Sequence, residues 1–179
     1  MTKTLIIGLG NPILGDDGVG WRVAEEVQKQ IAGGRWRIAP GTTPSAIRHQ
    51  PSAIEVDFHA GGGLSLMERL VGYDQAILID AINLGRQPTG AVSCFALEAL
   101  PNPSAGHLGS AHETNLQTAL QLGRAMGAHL PERVTVVAVE SSHVYEFAEV
   151  LTPLVARAVP AAAQMVLELL EGKTQDLPA

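Results

Sequence analysis

Cysteine is nearly absent from this 179-residue sequence, with Cys94 alone. One thiol closes no internal disulfide and builds no thiolate cage, so any metal site must use oxygen and nitrogen ligands, and a reducing compartment suits the chain. Basic excess is missing too. Eighteen acidic residues outweigh twelve basic ones for a formal net charge of −6, with −1 on residues 1–90 and −5 on residues 91–179. Neither half offers the positive surface that a phosphate backbone requires, and no nucleic-acid partner is expected. No run approaches the roughly 18–20 uninterrupted apolar residues of a spanning helix, and no membrane partner is expected. The opening MTKTLIIGLGNP lacks a small-residue cleavage site and reads as a first strand instead of a signal peptide. Repeats and dividing linkers are also missing.

What is present is 46% hydrophobic and only 17% charged residues, the composition of a folded chain. Domains most often run to about 100–150 residues, so one domain over 1–179 is expected, with 172–179 as a loose tail. A monomer in the cytoplasm is the expected state.

The continuous apolar run at 4–8 predicts a strand covered on both faces. Val19, Val23, Val27 and Ile31 recur every fourth residue, and Gly33-Gly34 closes the segment, which predicts an amphipathic helix. A short strand at 36–39 and an irregular stretch at 40–52 follow. Ile54, Val56 and Phe58 alternate with Glu55, Asp57 and His59, giving a strand with one wetter face. A short helix over 64–71 leads to the apolar strand 76–79, which ends in Asp80. Beyond it the pattern predicts a strand at 91–96, a surface loop at 100–110, a helix over 113–126 and a strand at 134–139. The last element is a long helix over 152–170, broken or kinked near Pro160. Alternating strands and helices imply an α/β fold. The expected form is a three-layer sandwich, with a twisted, mostly parallel sheet of about five strands and helices on both faces.

Several familiar motifs fail on inspection. Gly8-Leu9-Gly10 opens like a dinucleotide fingerprint, but its third glycine would fall on Ile13. Gly172-Lys173-Thr174 resembles the end of a P-loop, yet the required earlier glycine is Leu167. His112-Glu113 begins a zincin motif whose second histidine is replaced by Leu116. No G-x-S-x-G elbow occurs, and Cys94 sits in a strand pattern without a neighbouring base, so a Ser or Cys nucleophile is disfavoured.

Ligands of a parallel α/β sheet bind beyond the carboxyl ends of its strands. The first strand is followed by Gly15-Asp16-Asp17-Gly18, which places two carboxylates at the start of the first helix, where dipole and free amides favour negative charge. Capping needs only one of them. That role suits Asp16, whereas the glycines around Asp17 let backbone approach a bound group. Asp80, at the end of an apolar strand, faces a desolvation cost unless it is paired. His112 lies between a loop and a helix, where an imidazole is exposed but held. Two carboxylates and an imidazole can converge on one open metal site, although spacing alone does not establish that they do.

These residues resemble the [NiFe] hydrogenase maturation proteases, which trim the C-terminal extension of the hydrogenase large subunit. The resemblance rests on Gly8-Leu9-Gly10-Asn11 with Gly15-Asp16-Asp17-Gly18-Val19-Gly20, on Ile79-Asp80-Ala81 and on Ser110-Ala111-His112. It runs in order over residues 4–170. It implies an endopeptidase, an α/β sandwich, and Asp17, Asp80 and His112 as metal-contacting residues. The partner it implies is the large-subunit precursor, whose own nickel would dock on those three ligands. Zinc or cadmium could occupy the same site in vitro. The metal would polarise a carbonyl or acidify water, and Asp16 or Asp17 could accept a proton. Selectivity would come from a substrate that carries its own nickel, because intrinsic affinities put copper above nickel.

Two stretches depart from the family pattern. Ala60-Gly61-Gly62-Gly63 replaces a Gly-Thr-x-Gly turn, and 42–52 looks like an insertion. Either could reshape the substrate groove. His59, His107 and His143 have no assigned role, and His59 is the nearest of them to a strand end. The opening Gly-Leu-Gly-Asn-Pro also resembles peptidyl-tRNA hydrolase, but the acidic turn and the net charge of −6 argue against a tRNA substrate. A nickel or zinc metallochaperone with the same three ligands is the non-proteolytic alternative.

Overall fold

The computed structural model describes residues 2–33, 53–100, 115–142 and 147–172. Among these residues five strands form one sheet in the order β2-β1-β3-β5-β4. They are β1 (Lys3–Leu9), β2 (Ala53–His59), β3 (Gln75–Ile82), β4 (Val92–Ala96) and β5 (Arg133–Glu140). β1 pairs in parallel with β2 and β3, and β3 pairs in parallel with β5. β4 is the antiparallel edge. The expected strand at 36–39, the irregular stretch 40–52, the loop at 101–110 and the tail from 173 onward lie outside the described residues.

Among the described residues four helices cover the sheet: α1 (Val19–Ala32), α2 (Gly63–Leu70), α3 (Leu116–Ala125) and α4 (Pro153–Leu170). Strand alternation divides the core into two halves. Ile6, Ile77, Ile79 and Val137 pack with α1 and α4 on one face. Leu5, Ile7, Leu78 and Val136 pack with α2 and α3 on the other. Because both faces are covered, β1 and β3 read as continuous apolar runs.

α4 is a described helix long and apolar enough to cross a membrane by length and hydropathy. Its apolar face instead lies in the core, where Val155, Ala162, Ala163 and Val166 are fully buried beside α1. The expected break at Pro160 does not interrupt it. Packing against α1 and β5 holds the helix together despite the missing proline N–H.

β3 also differs from expectation. It continues past Asp80 to Ile82, paired with β5 through Ile82–Glu140, so Asp80 lies inside the strand and not at its end.

The chain reverses direction between β1 and β3. α1 carries β1 outward to β2 over one face, and α2 returns from β2 to β3 over the other, so the carboxyl ends of β1 and β3 flank a topological switch point. Glycines set how closely α1 approaches this seam. A Cβ on Gly20 would overlap the carbonyl oxygens of both Leu9 and Ile79, and one on Gly8 would lie 2.5 Å from Gly20 O. The glycine-rich opening therefore serves helix-on-sheet contact.

Two outcomes follow. Gly→Ala inside a helix ordinarily stabilises by up to about 1 kcal/mol. Gly20→Ala should instead destabilise by about 2 kcal/mol or more in urea unfolding, since the obstructing atoms are backbone. The Tyr73 hydroxyl donates to Glu55 Oε2 at 2.6 Å, and that bond, with burial and the Glu55 and Asp57 charges, pushes its pKa up to about 12. The stability it contributes is complete below pH 10 and is lost as pH rises through 12. Glu55→Gln should bring one of the two tyrosine titration steps, read by ultraviolet absorbance, down toward 10.

Candidate active site

The segment after β1 folds tightly back on itself. Gly10 has φ +109, in the left-handed region, and a Cβ there would overlap Asp17 O. Gly18 leaves room for Pro12, whose Cα would sit 2.7 Å from a Cβ at that position. Leu14 N donates to Asn11 O at 3.0 Å, and Asp17 N donates to Leu14 O at 3.2 Å. Residues Gly15–Gly18 then make one 3₁₀ turn that runs directly into α1. Both acidic residues ride on this turn and are buried, Asp16 at 0% and Asp17 at 5% exposure.

The two carboxylates serve different purposes. Asp16 does not cap α1, although the sequence suited it to that role. Its Oδ1 accepts from Thr152 N at 2.6 Å, and its Oδ2 accepts from Ser141 Oγ at 2.7 Å and Thr152 Oγ1 at 2.8 Å. Ser141 follows β5 and Thr152 is the N-cap of α4. One side chain therefore ties together the turn, the end of β5 and the start of α4. Asp17 Oδ2 accepts from Asn11 N at 2.7 Å, which fixes its carboxylate above the end of β1.

Asp80 is fully buried in β3, opposite Ala138 of β5. Strand alternation puts it in line with Ala76, Leu78 and Ile82, all part of the core under α2 and α3. A carboxylate thus takes a position that the pattern would give to an apolar residue. The 3₁₀ turn packs against β3, so the turn that carries Asp17, between β1 and α1, lies against the strand that carries Asp80.

His112, His107 and His143 lie outside the described residues, as do 42–52. Among the described residues no group of three His, Cys, Asp or Glu side chains forms a metal-binding cluster. His59 ends β2 at the same edge of the sheet, with Nε2 3.1 Å from Ser65 Oγ in α2.

Glu140, Ser141 and Thr152 shape this edge without a motif to announce them. Glu140 Oε1 accepts from Leu84 N and Gly85 N, both at 2.8 Å, which ties the segment after β3 to the end of β5. The strand-end filter that isolates Asp80 reaches Glu140 as well, because it closes the apolar run of β5.

Comparison with known proteins bears on this arrangement. The hydrogenase maturation protease family (HycI) matches residues 50–169. The chain is 26% identical over 172 residues to the hydrogenase expression/formation protein HupD of Rhizobium leguminosarum bv. viciae, covering 95% of this chain and 75% of that one. Among solved structures it resembles the hydrogenase maturating endopeptidase HybD from E. coli, with a TM-score of 0.70 at 22% identity, over 97% of this chain and 94% of that one. It also resembles the [NiFe] hydrogenase maturation protease HycI from Thermococcus kodakarensis KOD1, with a TM-score of 0.59 at 18% identity, over 95% and 93% of the two chains. The chain belongs to the hydrogenase maturation protease family and is a peptidase.

Proposed function

We propose that this peptidase removes the C-terminal extension from the nickel-loaded precursor of the [NiFe] hydrogenase large subunit, engaging the substrate's nickel through Asp17, Asp80 and His112. The observation that carries the reading is a pair of buried carboxylates near the switch point, Asp17 on the turn that follows β1 and Asp80 within β3, the strand against which that turn packs. Two oxygen donors and an imidazole suit a divalent first-row ion and leave coordination positions for the substrate's own ligands and for water. Zinc or cadmium could occupy the same donors in vitro. A docked divalent ion polarises a carbonyl or acidifies water near the scissile bond. Asp16 already accepts three hydrogen bonds, so in this reading it anchors the turn that presents Asp17. The peptidase works as a cytoplasmic monomer and makes loading of nickel a condition of cleavage.

The test incubates purified protein with nickel-loaded and nickel-free precursor and follows precursor mass. Loss of a C-terminal peptide from the loaded form alone is expected. An unchanged mass with nickel transferred to this chain would overturn the reading in favour of a metallochaperone. Asp17→Asn, Asp80→Asn and His112→Ala should each lower cleavage about 100-fold or more in a folded protein. Normal cleavage by Asp80→Asn would refute the ligand set.

Asp16→Ala should behave differently. It strands the buried Ser141 hydroxyl and the Thr152 N–H, so urea unfolding should show a loss of about 2–4 kcal/mol. Asp16→Asn keeps one acceptor oxygen and should lose roughly half as much.

A further inference from the structure

The Asp16-Asp17 turn is bordered by a second backbone contact that the proposed chemistry does not use. Leu14 and Ala148 form an isolated parallel bridge. Gly15 N donates to Ala148 O at 2.7 Å, and Ala148 N donates to Ile13 O at 3.1 Å. These bonds seat Ala148 against Ile13 and Gly15, with Phe147 the residue before it in the chain. Both side chains are exposed, Ile13 at 48% and Phe147 at 86%, and Val150 in the same segment is exposed at 76%. Single exposed apolar residues are ordinary, but several large ones on neighbouring backbone at the rim of a site mark a contact surface.

We propose that Ile13, Phe147 and Val150 form a docking surface for an apolar stretch of the substrate polypeptide beside its scissile bond. The inference rests on the proposed cleavage of a protein precursor. Continuity with the site identifies the occupant. Gly15, bonded to Ala148, begins the turn that carries Asp16 and Asp17, and Thr152, two residues after Val150, holds Asp16. A polypeptide that brings a peptide bond to Asp17 and Asp80 therefore passes this rim, which borders the one sheet that the described strands form. The exposed Glu149 between Phe147 and Val150 disfavours an acidic segment here. The surface supplies binding energy away from the reacting atoms, so it acts on substrate affinity.

Ile13→Ser and Phe147→Ser, singly and together, are compared with wild type for cleavage of nickel-loaded precursor, with precursor binding followed by calorimetry. The double variant should raise KM about tenfold or more and leave kcat and the urea midpoint unchanged. A KM within twofold of wild type overturns the docking surface. So does a wild-type dimer that the double variant splits without changing KM, because the patch then serves a second copy of the chain. If wild type leaves the precursor uncut, the proposed cleavage fails and binding alone decides the surface. A tenfold loss of affinity in the double variant sustains it, while retained affinity, or no binding by wild type, overturns it.

Discussion

The geometry of the site depends on how closely α1 lies on the seam between β1 and β3. Gly20 touches the carbonyl oxygens of Leu9 and Ile79, one from each strand, and any Cβ there would lift the helix. The 3₁₀ turn Gly15–Gly18 runs straight into α1, so its height above the sheet is the height of the helix. The seating of the turn that carries Asp17 against β3, the strand of Asp80, depends on that contact. A single methyl group at position 20 would therefore act on a site formed by other residues.

A second constraint fixes the turn from outside. Asp16 gathers Ser141 and Thr152 around one buried carboxylate, and bonds to a charged acceptor are worth about 1.5–3 kcal/mol each. These partners follow β5 and open α4, so the knot closes the α1 and α4 layer at the carboxyl edge of the sheet. Neighbouring acidic residues thus divide the labour. Asp16 turns inward to hold the layer, and Asp17, fixed by Asn11 N, remains at the strand ends.

Sequence conveyed these features unevenly, and the differences have physical causes. β1 and β3 were legible because strands buried on both faces read as unbroken apolar runs. α1 was legible from its valines at every fourth position. The direction of β4 was not, because a short strand pattern carries no sign of whether its partner runs parallel. Asp80 was found by the conflict between its charge and its apolar neighbours, but the strand's continuation to Ile82 was hidden by the polar residue that breaks the run. The anchoring part of Asp16 was beyond local reading altogether, since its partners lie 125 and 136 residues away. The local pattern suited Asp16 to a capping role that it does not play, and the long-range bonds to Ser141 and Thr152 show what it does instead.

The contrast between Asp17 and Asp80 bears on how a substrate-borne ion would be recognised. Asp80 is held in a strand paired on both sides, and Asp17 on a turn closed by Gly10 and Gly18, so neither carboxylate adapts far to an ion of different geometry. Burial in the core of Leu78 and Ile82 makes a charge on Asp80 costly. In the proposed function a docking divalent cation would offset that cost, so association would strengthen when the precursor carries its metal. Preorganisation does the rest, because rigid ligands lose little entropy on engagement. In that reading nickel loading would be sensed by the same desolvation that makes Asp80 anomalous in its strand.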